Sequence, residues 1–246
     1  MNLVFYRSRV IQSFHRLPTL GLPLAMVMVW LALDVSSMLY FKLMIAPMIL
    51  EPERMMYIPL FVGLGSIGRD GSDGLLPVLL TRPIQRSSYV LSHWAALGTV
   101  ASFWSLLHLL GQWFLIQIST YHPPQSEELF YNAFSRVSLC FGMAAALVCF
   151  SARLPSFGNV VLWGVLYYVV QGVLPGLGKD ESVLKFTFTL RQYLSGLILP
   201  ELDFRRTFAA APISWFRITT YFSNISLLLL LAIHIFNRRE VSYATR

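Results

Sequence analysis

The chain has 246 residues, of which 56% are hydrophobic and only 13% are charged, and its mean hydropathy is +0.60. Soluble domains carry about 25% charged residues, so this composition excludes an ordinary soluble domain and favours a protein embedded in a membrane. The formal net charge is +7, but no segment combines a basic stripe with interleaved aromatic residues, so we expect no nucleic-acid partner.

The apolar residues gather in six blocks, each near the length that a helix needs to cross a bilayer, about 20 residues. We therefore predict an all-α, polytopic membrane protein with about six transmembrane helices, folded as a single transmembrane domain over residues 1–246. The predicted spans, in chain order, are 20–45, 53–69, 94–118, 133–152, 157–177 and 215–237. The second span has the weakest apolar pattern.

Three segments outside these spans have structure of their own. Residues 1–19 can form a helix with one apolar and one basic face, which is typical of a helix on the cytoplasmic membrane surface. Residues 70–93 predict a cytoplasmic loop with a short amphipathic helix that is broken near Pro83. Residues 178–214 mix aromatic and charged residues, so we predict an external connection whose short helices rest at the membrane surface.

The orientation follows from the arginines, because positive residues beside a span resist translocation. On the N-terminal side they crowd into short segments, as Arg7, Arg9, Arg16, Arg69, Arg82, Arg86, Arg153, Arg238, Arg239 and Arg246. The segments on the other side are longer and balance their positive residues with acids. We therefore predict that both termini are cytoplasmic.

The most informative stretch is DGLLPVLLTRPIQRSSYVLSHW, from Asp73 to Trp94. It resembles the cytoplasmic loop that joins the second and third spans in permeases of the type-2 ABC exporter family. The positions that match the pattern of the family are Gly74, Leu79, Leu80, Thr81, Arg82, Pro83, Ile84, Arg86, Tyr89, Val90 and Leu91. A Leu-Pro and acidic-Phe element in the last external connection and an aromatic-Arg-Arg exit after the last span also resemble this family; they are Leu199, Pro200, Asp203, Phe204, Phe236, Arg238, Arg239 and Glu240.

The resemblance implies a function and a set of partners. The chain would be the permease subunit of an ABC exporter in the bacterial inner (plasma) membrane, working with two copies of an ATP-binding cassette subunit, with a second permease subunit, identical or related, and with membrane lipid. The loop would dock in a cleft of the ATP-binding subunit through Asp73, Gly74, Leu79, Leu80, Arg82, Pro83 and Arg86. Leu79 and Leu80 would be its apolar anchors, while Arg82 and Arg86 would pair with acids of the partner.

The loop also departs from the pattern of the family. Ser92 and His93 stand where Gly-Lys is usual, Pro77 interrupts the expected coupling helix, and the acid before the glycine could be Asp73 or Asp70. These differences bear on how the loop docks. The residues alone leave another interpretation open, an interfacial helix whose arginines face lipid phosphates.

Asp34 is the only acid well inside a predicted span. An acid at the centre of a membrane helix costs about 2.5 to 3.5 kcal/mol, so it should face the helix bundle. We predict a substrate contact or an interhelical pair with Arg136 or Lys42; a protonated or hydrogen-bonded packing residue is an equal alternative.

His108 and Gln112 share one face of the third predicted span, and Gln171 lies in the fifth. With Asp34 they are the residues that we predict to line a substrate pathway. Hydrogen bonding between helices is the simpler alternative for these polar side chains.

Catalytic chemistry is not indicated. The nearest approach to a phosphate-binding loop, residues 172–180, has the wrong spacing, so we expect no enzyme activity and no cofactor in this chain, with ATP and magnesium bound by the partner subunit. A membrane scaffold or accessory subunit that transports nothing is the alternative function.

An intramembrane serine protease built from Ser66, His108 and His234 is a weaker alternative, because GLGSIG around Ser66 does not match a nucleophile turn. The transported molecule cannot be read from these residues.

Overall fold

A computed structural model describes residues 2–15, 17–40, 56–64, 67, 70, 85–118, 126–154, 157–176, 181–209 and 213–238. Within these ranges all regular structure is helical, which confirms the all-α prediction. The helices are α1 (Leu3–His15), α2 (Leu17–Tyr40), α3 (Tyr57–Val62), α4 (Arg86–Ile118), α5 (Ser126–Ser151), α6 (Gly158–Tyr168), α7 (Glu181–Ile198) and α8 (Trp215–Arg238). A π-helical turn (Val169–Val173) and a 3₁₀ turn (Leu174–Gly176) extend α6, and a second π-helical segment covers Arg205–Ala209.

Among the described residues, four helices are long and apolar enough to cross a membrane: Arg86–Gln117, Glu127–Ser151, Gly158–Gly176 and Trp215–Arg238. They correspond to the last four predicted spans and support a membrane protein. The first predicted span contains a shorter apolar helix, Pro23–Ser36. Of the second, residues 56–64 and 67 are described and α3 covers six of them, so the count of six spans stays a prediction.

The four long helices alternate in direction along the chain. The side chain of Arg86, at the start of α4, donates to the carbonyl oxygens of Asn237 at 2.8 Å and Phe236 at 3.5 Å, at the end of α8. The start of α4 and the end of α8 therefore lie at one end of the bundle, which we call the Arg86 end. The connection between α6 and α8 lies at the opposite end.

Helix α5 lies at the centre of the bundle, in contact with α3, α4, α6 and α8. Its middle consists of small side chains, and Ala144, Ala145 and Ala146 are fully buried. Small residues let neighbouring helices approach closely, which is how helices associate in a membrane, where burial of apolar surface gives little driving force.

A turn formed by Leu199–Phe204, here named the Leu-Pro turn, inserts between helices after α7 ends. The carbonyl oxygen of Pro200 lies so close to α5 that a Cβ on Gly142 would come within 1.8 Å of it. Only a glycine admits this approach.

Side chains of α5 and α6 form hydrogen bonds with the backbone of the Leu-Pro turn and of Ile198, the residue before it. Trp163 Nε1 donates to the carbonyl oxygen of Ile198 at 2.9 Å, and the Leu202 amide donates to Ser138 Oγ at 3.2 Å. Non-helical backbone inside a membrane bundle requires such partners. The described part of the segment 178–214, which was predicted to be an external connection with short helices, thus contains the 18-residue helix α7 and a turn that packs into the bundle.

Candidate functional site

Four polar side chains from three helices form a buried polar cluster. They are Asp34 of α2, His108 and Gln112 of α4, and Arg136 of α5. Asp34 is 5% exposed and the other three are at most 1% exposed. Three of the four predicted pathway residues therefore meet, together with one of the two basic partners expected for Asp34. The other, Lys42, lies outside the described residues.

The Gln112 amide joins the two charges of the cluster. Its Nε2 donates to Asp34 Oδ2 at 2.8 Å, and its Oε1 accepts from Arg136 Nη2 at 2.6 Å. Such charge-assisted hydrogen bonds are stronger than bonds between neutral groups. A negative and a positive charge thus compensate each other across one amide, in a region where an isolated charge would be costly.

The geometry also fixes the tautomer of His108. Arg136 Nη1 lies 3.3 Å from His108 Nδ1, and because a guanidinium can only donate, Nδ1 must accept. The ring proton of the neutral imidazole therefore lies on Nε2, which is 3.8 Å from Asp34 Oδ2. His108 Nε2 and Arg136 Nε have no hydrogen-bond partner among the described residues.

The cluster does not include the fourth predicted pathway residue, Gln171. This side chain lies in the π-helical turn after α6, and its Oε1 accepts from Arg191 of α7, at 3.0 Å from Nε and 2.7 Å from Nη2. The pair borders a polar cavity of about 760 Å³ between the end of α6, α7 and α8, which we name the Arg191 cavity.

The residues of a serine protease do not come together. His108 lies 22 residues, or about 33 Å, along α4 from Arg86, whereas His234 lies one turn before Asn237, which contacts Arg86. The two histidines are therefore near opposite ends of the bundle, and Ser66 lies outside the described residues. In the described part of the chain, no group of three or more His, Cys, Asp or Glu side chains could hold a metal ion.

Of the predicted coupling residues, Asp73, Gly74, Leu79, Leu80, Arg82 and Pro83 lie outside the described residues. Arg86 is described, and it bonds to the last carbonyl groups of α8. A cation at a helix C-terminus both satisfies free carbonyl groups and interacts favourably with the helix dipole.

A second buried ionic group, which the sequence did not predict, lies at the Arg86 end. Its centre is Asp70, which is 2% exposed. Asp70 pairs with Arg9 of α1, accepts a hydrogen bond from the Tyr89 hydroxyl at 2.6 Å and lies 3.3 Å from His93 Nε2. Because Tyr89 and His93 belong to α4, this Asp70 group ties α1 to the start of α4.

Burial alone would raise the pKa of Asp70. Hydrogen bonding and charge from His93, with Arg9 and Tyr89, outweigh that effect and lower the pKa from 3.8 to about 2. Asp70 is therefore an anion at neutral pH.

Other contacts fix α1 along α4. The Phe5 ring lies 5.2 Å from the Tyr89 ring, centre to centre, and the Tyr6 hydroxyl is 3.0 Å from Thr99 Oγ1. The basic and apolar faces of residues 1–19 predicted a helix at the membrane surface. They gave no sign that Arg9 pairs with an acid 61 positions away.

A scan of protein-family models and a search of curated proteins both found no match to this chain.

Proposed function

We propose that this chain is the permease subunit of an ABC exporter, as its resemblance to the type-2 family implies. The observation that carries the proposal is the sequence from Asp73 to Trp94, whose last part forms the start of α4. Four membrane-length helices agree with it. The motor would be two copies of a separate ATP-binding subunit, which bind ATP and magnesium, and a second permease subunit would complete the transporter.

The contacts of the described residues on either side of positions 71–84 support a mechanical role for the loop. Asp70 is bonded to α1 and α4, and Arg86 is bonded to α8. A force applied between them by a soluble motor would reach three helices through short, buried or charge-assisted contacts. Two rigid attachments are what a coupling element needs, whereas an interfacial helix needs none.

The buried polar cluster has a different role in this proposal. Each member is hydrogen-bonded to at least one other member and almost fully buried, which favours a joint between α2, α4 and α5, the alternative left open for these residues. The assignment of Asp34, His108, Gln112 and Gln171 to a substrate pathway stays a prediction.

The decisive experiment replaces Leu80 with Asp and measures co-purification with an ATP-binding subunit encoded beside this chain. A charge introduced at an apolar anchor would be buried in the interface without a partner. Leaving a charge buried and unpaired in an interface costs about 2 to 5 kcal/mol. We expect the complex and its stimulated ATP hydrolysis to be lost while membrane yield is unchanged. Leu184→Asp, at a half-exposed position of α7 at the other end of the bundle, is the matched control and should retain the ATPase.

Wild-type co-purification of Leu80→Asp with normal transport would reduce the loop to an interfacial helix and remove the main support for the exporter. A chain that binds the ATPase but transports nothing would favour the scaffold. Labelling of a cysteine at position 86 only from outside the cell would overturn the proposed orientation.

A further inference from the structure

The Arg191 cavity lies outside the buried polar cluster and the predicted coupling loop. Arg191 directs Nε and Nη2 to the neutral oxygen of Gln171 and forms no ion pair in the described part of the chain. Its Nη1 and the Gln171 amide NH₂ have no hydrogen-bond partner there either. The cavity thus contains a guanidinium held in place by a neutral amide, with donor groups left over.

Unusual backbone geometry holds the amide in this position. Gln171 lies in the five-residue π-helical turn Val169–Val173, and π-helical turns inside α-helices occur frequently at functional sites. On the opposite wall, Asn224 of α8 donates to the Gly196 carbonyl at 2.8 Å. The polar wall is therefore built from three elements that hydrogen bonds join in pairs.

The position of the cavity relative to a membrane indicates the kind of ligand. Gln171 lies five residues, about 8 Å, before the end of the candidate span Gly158–Gly176, and Asn224 lies nine residues, about 14 Å, after the start of α8. The 19-residue span is about as long as a hydrocarbon core of about 30 Å, so the cavity lies in the outer part of that core, beneath the headgroup region on this side of the membrane.

Exposed aromatic side chains lie on α7 beside the cavity and at the start of α8. Phe186, Phe188 and Tyr193 of α7 and Trp215 and Phe216 of α8 are each at least 65% exposed. Aromatic residues at helix ends are typical of a membrane interface. Two aromatic residues, Tyr167 and Phe188, also line the cavity itself and offer apolar surface beside the guanidinium.

We propose that the Arg191 cavity binds the phosphate of an anionic membrane lipid. Arg191 and the Gln171 amide hold the phosphate oxygens, since a planar guanidinium donates to a phosphate through parallel hydrogen bonds, and the first part of the acyl chains lies on Tyr167 and Phe188. Glu201 also lines the cavity. The site does not depend on whether the chain transports anything.

The test is native mass spectrometry of the full chain, titrated with phosphatidylglycerol and with phosphatidylcholine of the same acyl chains. One site should prefer phosphatidylglycerol by about tenfold, which corresponds to about 1.4 kcal/mol. Arg191→Gln should remove this preference, and so should Gln171→Glu, which supplies Arg191 with an internal carboxylate.

Arg217→Gln is the matched control, because Arg217 is exposed near the start of α8 and does not line the cavity; it should bind as the wild type does. Thermal midpoints separate lost binding from lost folding, and Gln171→Glu, nearly equal in shape, keeps the test valid if Arg191→Gln does not fold.

Three results would overturn the proposal. They are wild-type lipid binding by both cavity variants, equal affinity for phosphatidylcholine, and complete displacement of the lipid by inorganic phosphate, since the last would make the ligand a free anion. Because no ATPase is present, failure here leaves the exporter proposal untouched.

Discussion

Removing both charges of the buried polar cluster should destabilise the protein by less than the sum of the losses that follow from removing each charge alone. Asp34 and Arg136 are joined through one amide by hydrogen bonds of 2.8 and 2.6 Å. The charges are thus within about 8 Å, and at an effective dielectric constant of about 20 they attract each other by about 2 kcal/mol.

The single variants Asp34→Asn and Arg136→Gln each leave the other charge buried without compensation. Breaking a buried pair in this way typically costs about 3 to 5 kcal/mol. At about 2 to 4 °C per kcal/mol for a chain of this size, each midpoint should fall by roughly 10 °C. In the double variant both charges are gone, so its loss should be smaller than the sum of the two by about 2 kcal/mol.

The native cysteines provide the assay. Cys140 and Cys149 are both free and buried, so a thiol-reactive dye added to the detergent-solubilised protein reports unfolding as temperature rises. Arg206→Gln, at an exposed arginine whose ion pair with Asp203 measures 3.2 Å, is the control and should change the midpoint little. Additive losses in the double variant would refute the reasoning, because they would mean that the two charges do not interact.

Two further predictions concern the Leu-Pro turn and the Asp70 group. Gly142→Ala should lower the thermal midpoint by several degrees, because the new Cβ would lie 1.8 Å from the Pro200 carbonyl oxygen. Gly164→Ala is the control and should leave the midpoint unchanged, since nothing lies within 4 Å of its Cβ position. Equal midpoints for the two variants would contradict this packing. Folding lowers the pKa of Asp70 from 3.8 to about 2, so ionised Asp70 contributes about 2 kcal/mol to the free energy of unfolding. This contribution is complete above pH 4 and is lost as the pH falls towards 2. Circular-dichroism melts should show this loss in the wild type and not in Asp70→Asn; an equal pH dependence in both would argue against the pair.

The long helices were predictable because a bilayer sets their length. Residues 157–177 and 215–237 were expected as spans, and the helical segments run from 158 to 176 and from 215 to 238. The third span was predicted to begin at 94, and the helix that contains it, α4, begins at Arg86, within the segment 70–93 that was predicted to hold a helix broken near Pro83. The first turns of α4 are polar, so hydropathy does not mark them, and contacts of Tyr89 and His93 with Asp70 hold them in place.

The candidate site was predictable only in part. The i, i+4 spacing of His108 and Gln112 put both on one face of a helix, and a buried acid required a partner, which made Arg136 a candidate. Gln171 was grouped with them because a lone amide in an apolar helix does not reveal which neighbour it faces. The pairing of Asp70 with Arg9 depends on how α1 packs against α4, which no local pattern encodes.

Helix α4 connects the two buried ionic groups. Tyr89 and His93 belong to the Asp70 group near its start, and Gln112 belongs to the buried polar cluster about 35 Å from Tyr89 along the same helix. Each group compensates its own charges, so neither needs the other in order to be stable. A continuous helix of 33 residues tilts and rotates as a nearly rigid body. A displacement of its start at the Arg86 end would therefore also move Gln112, whose hydrogen bonds join α2 to α5. Under the exporter proposal, a motor acting on the loop before α4 could therefore change how these helices pack without any contact with them.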